Sequence, residues 1–132
     1  MLGFVKTNAP DAFGRNLQAY GIDFDQKTKK LVLTLPSGEQ LRGEKAVQRI
    51  STDSKYAGVL SAAGMDPRFQ EAQIRFAEKK LDTALRKHVM IEPKGATSVV
   101  VTPKDVLTSE LGVALFFDRC VQNGESGARN RL

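Results

Sequence analysis

Asp118, Gln122 and Asn123 are the side chains best suited to chemistry: one carboxylate and two amides within six residues. Residues four apart share a helix face, so Asp118 and Gln122 project together. Amides offer paired donors and acceptors to hydroxyl and N-acetyl groups, which makes these three the candidate substrate-binding residues for a sugar. Asp118 has a structural reading beside this one, as the residue tying its helix to a neighbouring loop. Glu110 could serve as a general acid if burial raised its pKa. Its place in a first helical turn suits a structural role against the positive helix end. Ordinary glycoside hydrolysis needs two carboxyl groups roughly 5–10 Å apart. Glu39, Glu44, Asp53 and Asp118 lie on separate elements, and spacing alone assigns no catalytic residue among them.

Other chemistries are poorly supplied. His88 is the single histidine and Cys120 the single cysteine, so the chain alone builds no multi-histidine metal centre and no cysteine-rich zinc site. No metal and no cofactor is expected. His88 falls near a helix end and suits a C-terminal partner; Cys120, among Phe116, Phe117 and Val121, reads as an inert packed thiol. Neither G-x-x-x-x-G-K-[ST] nor G-x-G-x-x-G occurs, which removes the usual phosphate cradles. The net charge of +5 favours contact with polyanions without selecting one. Lys27, Lys29 and Lys30, and Arg129 and Arg131 in the tail, read as solvated positions. No aromatic residues interleave with them as stacking platforms for single-stranded nucleic acid.

The elements that must position these groups follow from turn residues and apolar spacing. At 132 residues the chain is one domain's worth. The reading is a single helical domain over 1–124 with a flexible basic tail over 125–132. A short helix is expected from Asn8 to Gly21, with Phe13, Leu17 and Tyr20 at helical spacing. A β-hairpin follows over about 30–42, turning at Pro36-Ser37-Gly38. Helical turns are expected over 44–50 and a helix over 53–63. Asp66-Pro67 pairs a capping carboxylate with proline at the first helical position, starting a long strut that should reach Val89 or Met90. Ser98 to Thr102 is β-rich. The last element, about 109–122, is apolar on every side except for the seam Glu110, Ala114, Asp118, Gln122. A helix apolar all round is a buried one. The expected fold is therefore mainly α (α+β), built around a buried central helix, with an arginine or backbone donors meeting Asp118 because a lone buried carboxylate is costly.

The stretch from Leu107 to Gly124 resembles the "SERAxALxFDxxVQNG" segment of bacterial and phage lysozyme-like proteins related to chitosanases and peptidoglycan hydrolases. Ser109, Glu110, Ala114, Leu115, Phe117, Asp118, Val121, Gln122, Asn123 and Gly124 carry the match, and Phe69-Gln-Glu-Ala-Gln-Ile-Arg-Phe-Ala77 resembles the "EFQxxQxxxA" helix that precedes it. Leu111 replaces the family's arginine, Arg119 replaces an apolar residue, and no "SFGxxQ" stretch occurs. The resemblance implies a lysozyme-like helical lobe that handles cell-wall peptidoglycan or a chitosan-like polymer. It also implies that the glutamate-bearing lobe is missing, to be supplied by an upstream segment or a partner chain. The rival expectations are a non-catalytic phage or mobile-element assembly protein and a basic nucleic-acid-associated protein. No apolar run reaches the roughly 18 residues needed to span a bilayer, and no secretory signal is evident. Cytoplasmic synthesis is expected, with release or export to the wall.

Overall fold

Alternation of turn residues and apolar runs yields a mainly helical α+β chain: 64% helix, with antiparallel sheets of three and two strands. The computed structural model describes residues 1–91, 94–95 and 97–129, with side chains described through residue 124. These divide into two compact units, Met1–Phe76 and Ala77–Leu132, where the sequence reading placed one domain over 1–124.

In the first unit, α1 (Leu2–Asn8) and α2 (Pro10–Asn16) precede a short 3-10 turn and the strands β1 (Ile22–Asp25), β2 (Lys30–Thr34) and β3 (Gln40–Arg42). Pro10 fits the first turn of α2, where its missing N–H has no partner to lose. The strands form an antiparallel meander in the order β1-β2-β3. Ile22 lies opposite Leu33, Phe24 opposite Leu31, and Leu33 opposite Leu41. The period of two puts these side chains on one face. That face closes the core formed by Phe13, Leu17, Ile22 and Leu33, all fully buried. The expected hairpin over 30–42 is present, and β1 extends it by a strand.

Next come α3 (Glu44–Thr52), α4 (Ser54–Met65) and α5 (Pro67–Arg86). The Asp53 carboxylate caps α4 by accepting from the Lys55 backbone N–H at 3.1 Å. Asp66 does the same for α5, accepting from Arg68 N–H at 2.9 Å and Phe69 N–H at 3.3 Å. Its other oxygen accepts from the Asn16 amide at 2.7 Å and the Arg15 guanidinium at 3.2 Å, so one carboxylate both starts α5 and pins the end of α2. The Asn16 hydrogen bond, joined by the Phe69 and Arg68 N–H groups and Arg15, outweighs desolvation and holds the Asp66 carboxyl below its ordinary value of 3.8. A depressed folded pKa contributes stability that is present above the unfolded value and lost as pH falls through the folded one. Thermal melts from about pH 5 to about pH 2 will therefore show a larger acid-induced loss for the wild type than for Asp66→Asn, which starts lower at pH 5. Equal losses would contradict the dual role.

The second unit contains the later half of α5, the two-stranded antiparallel sheet β4 (Val89–Ile91) and β5 (Val99–Val101), α6 (Pro103–Val106) and α7 (Glu110–Arg129). The strut thus ends at Arg86, short of the expected Val89, because Val89, Met90 and Ile91 pair with Val101, Val100 and Val99. β-branched residues fit a pleated strand better than a helix end. Thr102 and Asp105 form a reciprocal capping box at α6. Ser109 Oγ accepts from the Gly112 N–H at 3.1 Å at the start of α7. The expected stop at Asn123-Gly124 is a break: Gly124 has φ 71° and ψ 164°, and the backbone of 125–129 is helical again. The flexible-tail reading of 125–132 concerns side chains outside the described residues, and 130–132, with Arg131, lie outside them entirely.

The buried central helix over 109–122 is corrected. Among the described residues of α7 only Phe116 is buried, at 4% exposure, whereas Leu111 is 70% exposed, Leu115 59% and Val121 70%. Phe116 packs with Ala84, and the half-buried Leu85, Leu107 and Cys120 complete a small cluster. Enclosing a helix requires neighbours on every side, and among the described residues the core contacts of α7 are Ala84 and Leu85 of α5 and Leu107, gathered around Phe116. Leu115→Ser should change stability by no more than about 0.5 kcal/mol, measured by urea unfolding; a loss several times larger would mean that residue is enclosed.

Candidate functional site

The seam Glu110, Ala114, Asp118, Gln122 forms a line on α7, as its four-residue steps require, and every member of it is exposed. Among the described residues Asp118 meets no arginine and no backbone donor. Its Oδ2 accepts from the Gln122 amide at 2.8 Å on the same exposed face. The neutralising cation expected for Asp118 is unnecessary because water already solvates the carboxylate. Asn123 is exposed beside it. Glu110 occupies the first turn of α7, where a negative charge is favourable. The structure thus brings Asp118 and Gln122 together, sets Asn123 one residue on, and places Glu110 two turns away on the same face.

Beside this seam, Leu81, Leu107, Val113 and Phe117 line an open apolar groove of about 560 Å³, with Thr108, Ser109, Glu110 and Ala114 also on its walls. α5 contributes Leu81, and α7 contributes Val113 and Phe117 at a four-residue step. The groove has a hydrophobic floor and, among the described residues, carries only Glu110 as a charged group.

The carboxylates available for acid–base work are otherwise engaged or solvated. Asp53 caps α4 and pairs with Arg49 at 3.4 Å; Glu39 and Glu44 are exposed. Burial opposes ionisation of Asp23, but the Lys6 ammonium at 2.7 Å and the Phe24 N–H outweigh it and hold the carboxyl below its usual range. Hydrogen bonds from Thr28 and then Lys27 do the same for Asp25 in the β1–β2 turn, and the Thr102 hydroxyl and N–H for Asp105. These shifts favour the anion, the reverse of what a general acid requires. Lys27, Lys29 and Lys30 are exposed around the β1–β2 turn. His88 is exposed between α5 and β4, and Cys120 is half-buried against Phe116. Among the described residues no group of three or more His, Cys, Asp or Glu gathers to hold a metal ion, and no helix is long and apolar enough to cross a membrane.

A second concave feature lies within the first unit. Asn8, Ala9, Pro10, Asp11 and Ala12 face Arg68, Glu71, Ala72 and Arg75 across a cleft of about 360 Å³. The sequence signal for this cleft is the spacing of Arg68, Glu71, Ala72 and Arg75: positions i, i+3, i+4 and i+7 share one face, and an alanine among three long charged side chains leaves a depression. Compared with protein-family models, curated proteins and solved structures, the chain matches none.

Proposed function

We propose that this chain is the second, helical lobe of a lysozyme-like glycan hydrolase acting on cell-wall peptidoglycan or a chitosan-like polymer, with the catalytic glutamate supplied by a complementary polypeptide segment. One observation carries the reading: α7, apolar on every side but its one polar seam, exposes Leu111, Leu115 and Val121. Burying a leucine side chain is worth roughly 1.5–3 kcal/mol, so a helix of this composition gains most when something encloses it. A second lobe would do so while leaving the Asp118–Gln122 pair at the seam between lobes, where a sugar's hydroxyls would meet a carboxylate and an amide. The four carboxyls held low in pKa are in keeping with a chain that does not supply the acid. On this reading the site of action is the cell wall.

The test is clearing of purified cell walls, followed by turbidity and by release of reducing ends. The chain alone should release none. The chain mixed with, or fused to, the polypeptide encoded immediately upstream should clear them, and Asp118→Ala in that pair should slow clearing. Clearing by the isolated chain at an ordinary enzymatic rate would overturn the reading, and so would an inactive pair. Gel shifts at two salt concentrations address the nucleic-acid alternative, because phosphate contacts weaken steeply as salt rises.

A further inference from the structure

The cleft between the α1–α2 junction and the first half of α5 combines three properties that together specify a ligand chemistry. The first is a low floor: Ala12, fully buried, and Ala72, 3% exposed, line it with short side chains that belong to the core beneath. The second is firm ends. At one end Asp66 ties Asn16 and Arg15 to the start of α5, and at the other the rings of Phe4 and Phe76 pack with centroids 5.5 Å apart. The end of α2 and the middle of α1 are thereby each tied to α5, and the α1–α2 junction that lines the cleft lies between these two ties. At about 360 Å³ it falls at the small end of pockets that take small molecules, roughly 300–1,000 Å³.

The third property is its charge. Four charged side chains line the cleft: Asp11, Arg68, Glu71 and Arg75. Glu71 and Arg75 satisfy one another at 2.6 Å. Among the described residues, neither the Asp11 carboxylate nor the Arg68 guanidinium has an ion pair or side-chain hydrogen bond. The cleft therefore presents one uncommitted anion and one uncommitted cation on opposite walls, with a neutral pair beside them. A polyanion would gain at Arg68 and lose at Asp11 and Glu71. A neutral ligand would leave both groups without a charged partner. Water solvates both groups in the free protein, and a ligand carrying both signs is the one that gains a charge-assisted hydrogen bond at each.

We propose that this cleft binds a zwitterionic group, an amino acid or the termini of a short peptide, with the ligand carboxylate on Arg68 and its ammonium on Asp11. The planar guanidinium can hold a carboxylate by two parallel N–H···O bonds. The Asp11 carboxylate accepts from the ammonium, and Ala12 and Ala72 leave room for a small side chain between them. The inference stands independently of the glycan-hydrolase reading, since it uses neither α7 nor its seam.

The experiment is an amide NMR titration of the full chain with three probes: free alanine, the alanyl-alanine dipeptide, and the same dipeptide acetylated and amidated so that both charges are gone. At least one zwitterion should give saturable shifts confined to Asn8–Ala12 and Arg68–Arg75, and the neutral analogue none. Saturation by the dipeptide alone identifies a peptide as the source; saturation by alanine identifies a free amino acid. Arg68→Gln and Asp11→Asn, both at exposed positions, should keep the wild-type spectrum elsewhere and weaken binding by roughly tenfold or more, the usual effect of losing a charge-assisted hydrogen bond. Equal binding of the neutral analogue, unchanged affinity in both charge variants, or no saturable shift with either zwitterion would overturn the proposal.

Discussion

Phe13→Ala will lower the stability of the Met1–Phe76 unit by about 4 kcal/mol, within the usual range for emptying a core phenylalanine site. Phe13 is fully buried on α2, among Leu17, Ile22 and Leu33. It also supports a polar contact at the sheet edge. The Lys6 ammonium lies 5.9 Å from the Phe13 ring centroid while donating to Asp23 at 2.7 Å and to the Phe24 carbonyl at 2.8 Å. Removing the ring leaves a cavity and deprives that cation of an aromatic face. For a unit of this size each kcal/mol shifts the melting midpoint by roughly 4–8 °C, so the expected drop is about 20 °C. Hydrogen exchange at β2 amides reads this unit by itself. Phe13→Leu, which keeps most of the volume, should cost only about 1 kcal/mol. A loss below about 1 kcal/mol for the alanine variant would mean that α2 does not anchor the core.

Gly21→Ala should cost about 3 kcal/mol, the sum of left-handed strain and a backbone collision. Gly21 has φ 83° where the 3-10 turn hands the chain to β1. An added Cβ would sit 2.3 Å from the Thr34 carbonyl oxygen, closer than any real contact. Thr34 cannot retreat cheaply, because its N–H donates to the Gly21 carbonyl at 2.8 Å and the neighbouring pair Ile22 and Leu33 sets the register of β1 on β2. Gly38 gives the control. Its φ is 86°, but nothing lies within 4 Å of its Cβ position, so Gly38→Ala should cost only the left-handed strain, about 1 kcal/mol. Urea unfolding of the two variants separates conformation from contact; equal losses would contradict the close approach at Gly21.

The elements with explicit chemical punctuation were legible in the residues. Asp66-Pro67 announces α5, Asp53 announces α4, and Pro36-Ser37-Gly38 announces the turn between β2 and β3. Elements lacking such marks were not. α1 has no side-chain cap on its first turn. β1 is four residues long, and two of them are aspartates, a type depleted in strands; its alternation of Ile22 and Phe24 was the available clue. The β-branched residue at Val89 and its partners across the loop turned the expected end of the strut into a strand, a pairing that a one-dimensional period cannot reveal.

The candidate site was legible in a different sense. Four-residue spacing placed Asp118 and Gln122 side by side, and they do touch. Their environment was misjudged, because a helix that is apolar on most sides shows what it would gain from enclosure and says nothing of whether neighbours are present. The cleft at Ala12 and Ala72 went unread for the complementary reason. It depends on two small residues from segments about sixty positions apart, and it forms only when α2 lies along α5.

The uncovered face of α7 is the feature on which the functional account depends, and site-specific thiol labelling measures it directly. In a Cys120→Ala background, single cysteines at positions 111, 115 and 116 report the two sides of the helix. With the chain alone, the cysteines at 111 and 115 should react with a maleimide at nearly the rate of an unfolded control, and the one at 116 far more slowly. On addition of the polypeptide encoded immediately upstream, the first two should become protected to the level of position 116. Labelling at 111 and 115 that is slow from the outset, or unchanged by that polypeptide, would contradict the account of α7 as a lobe interface.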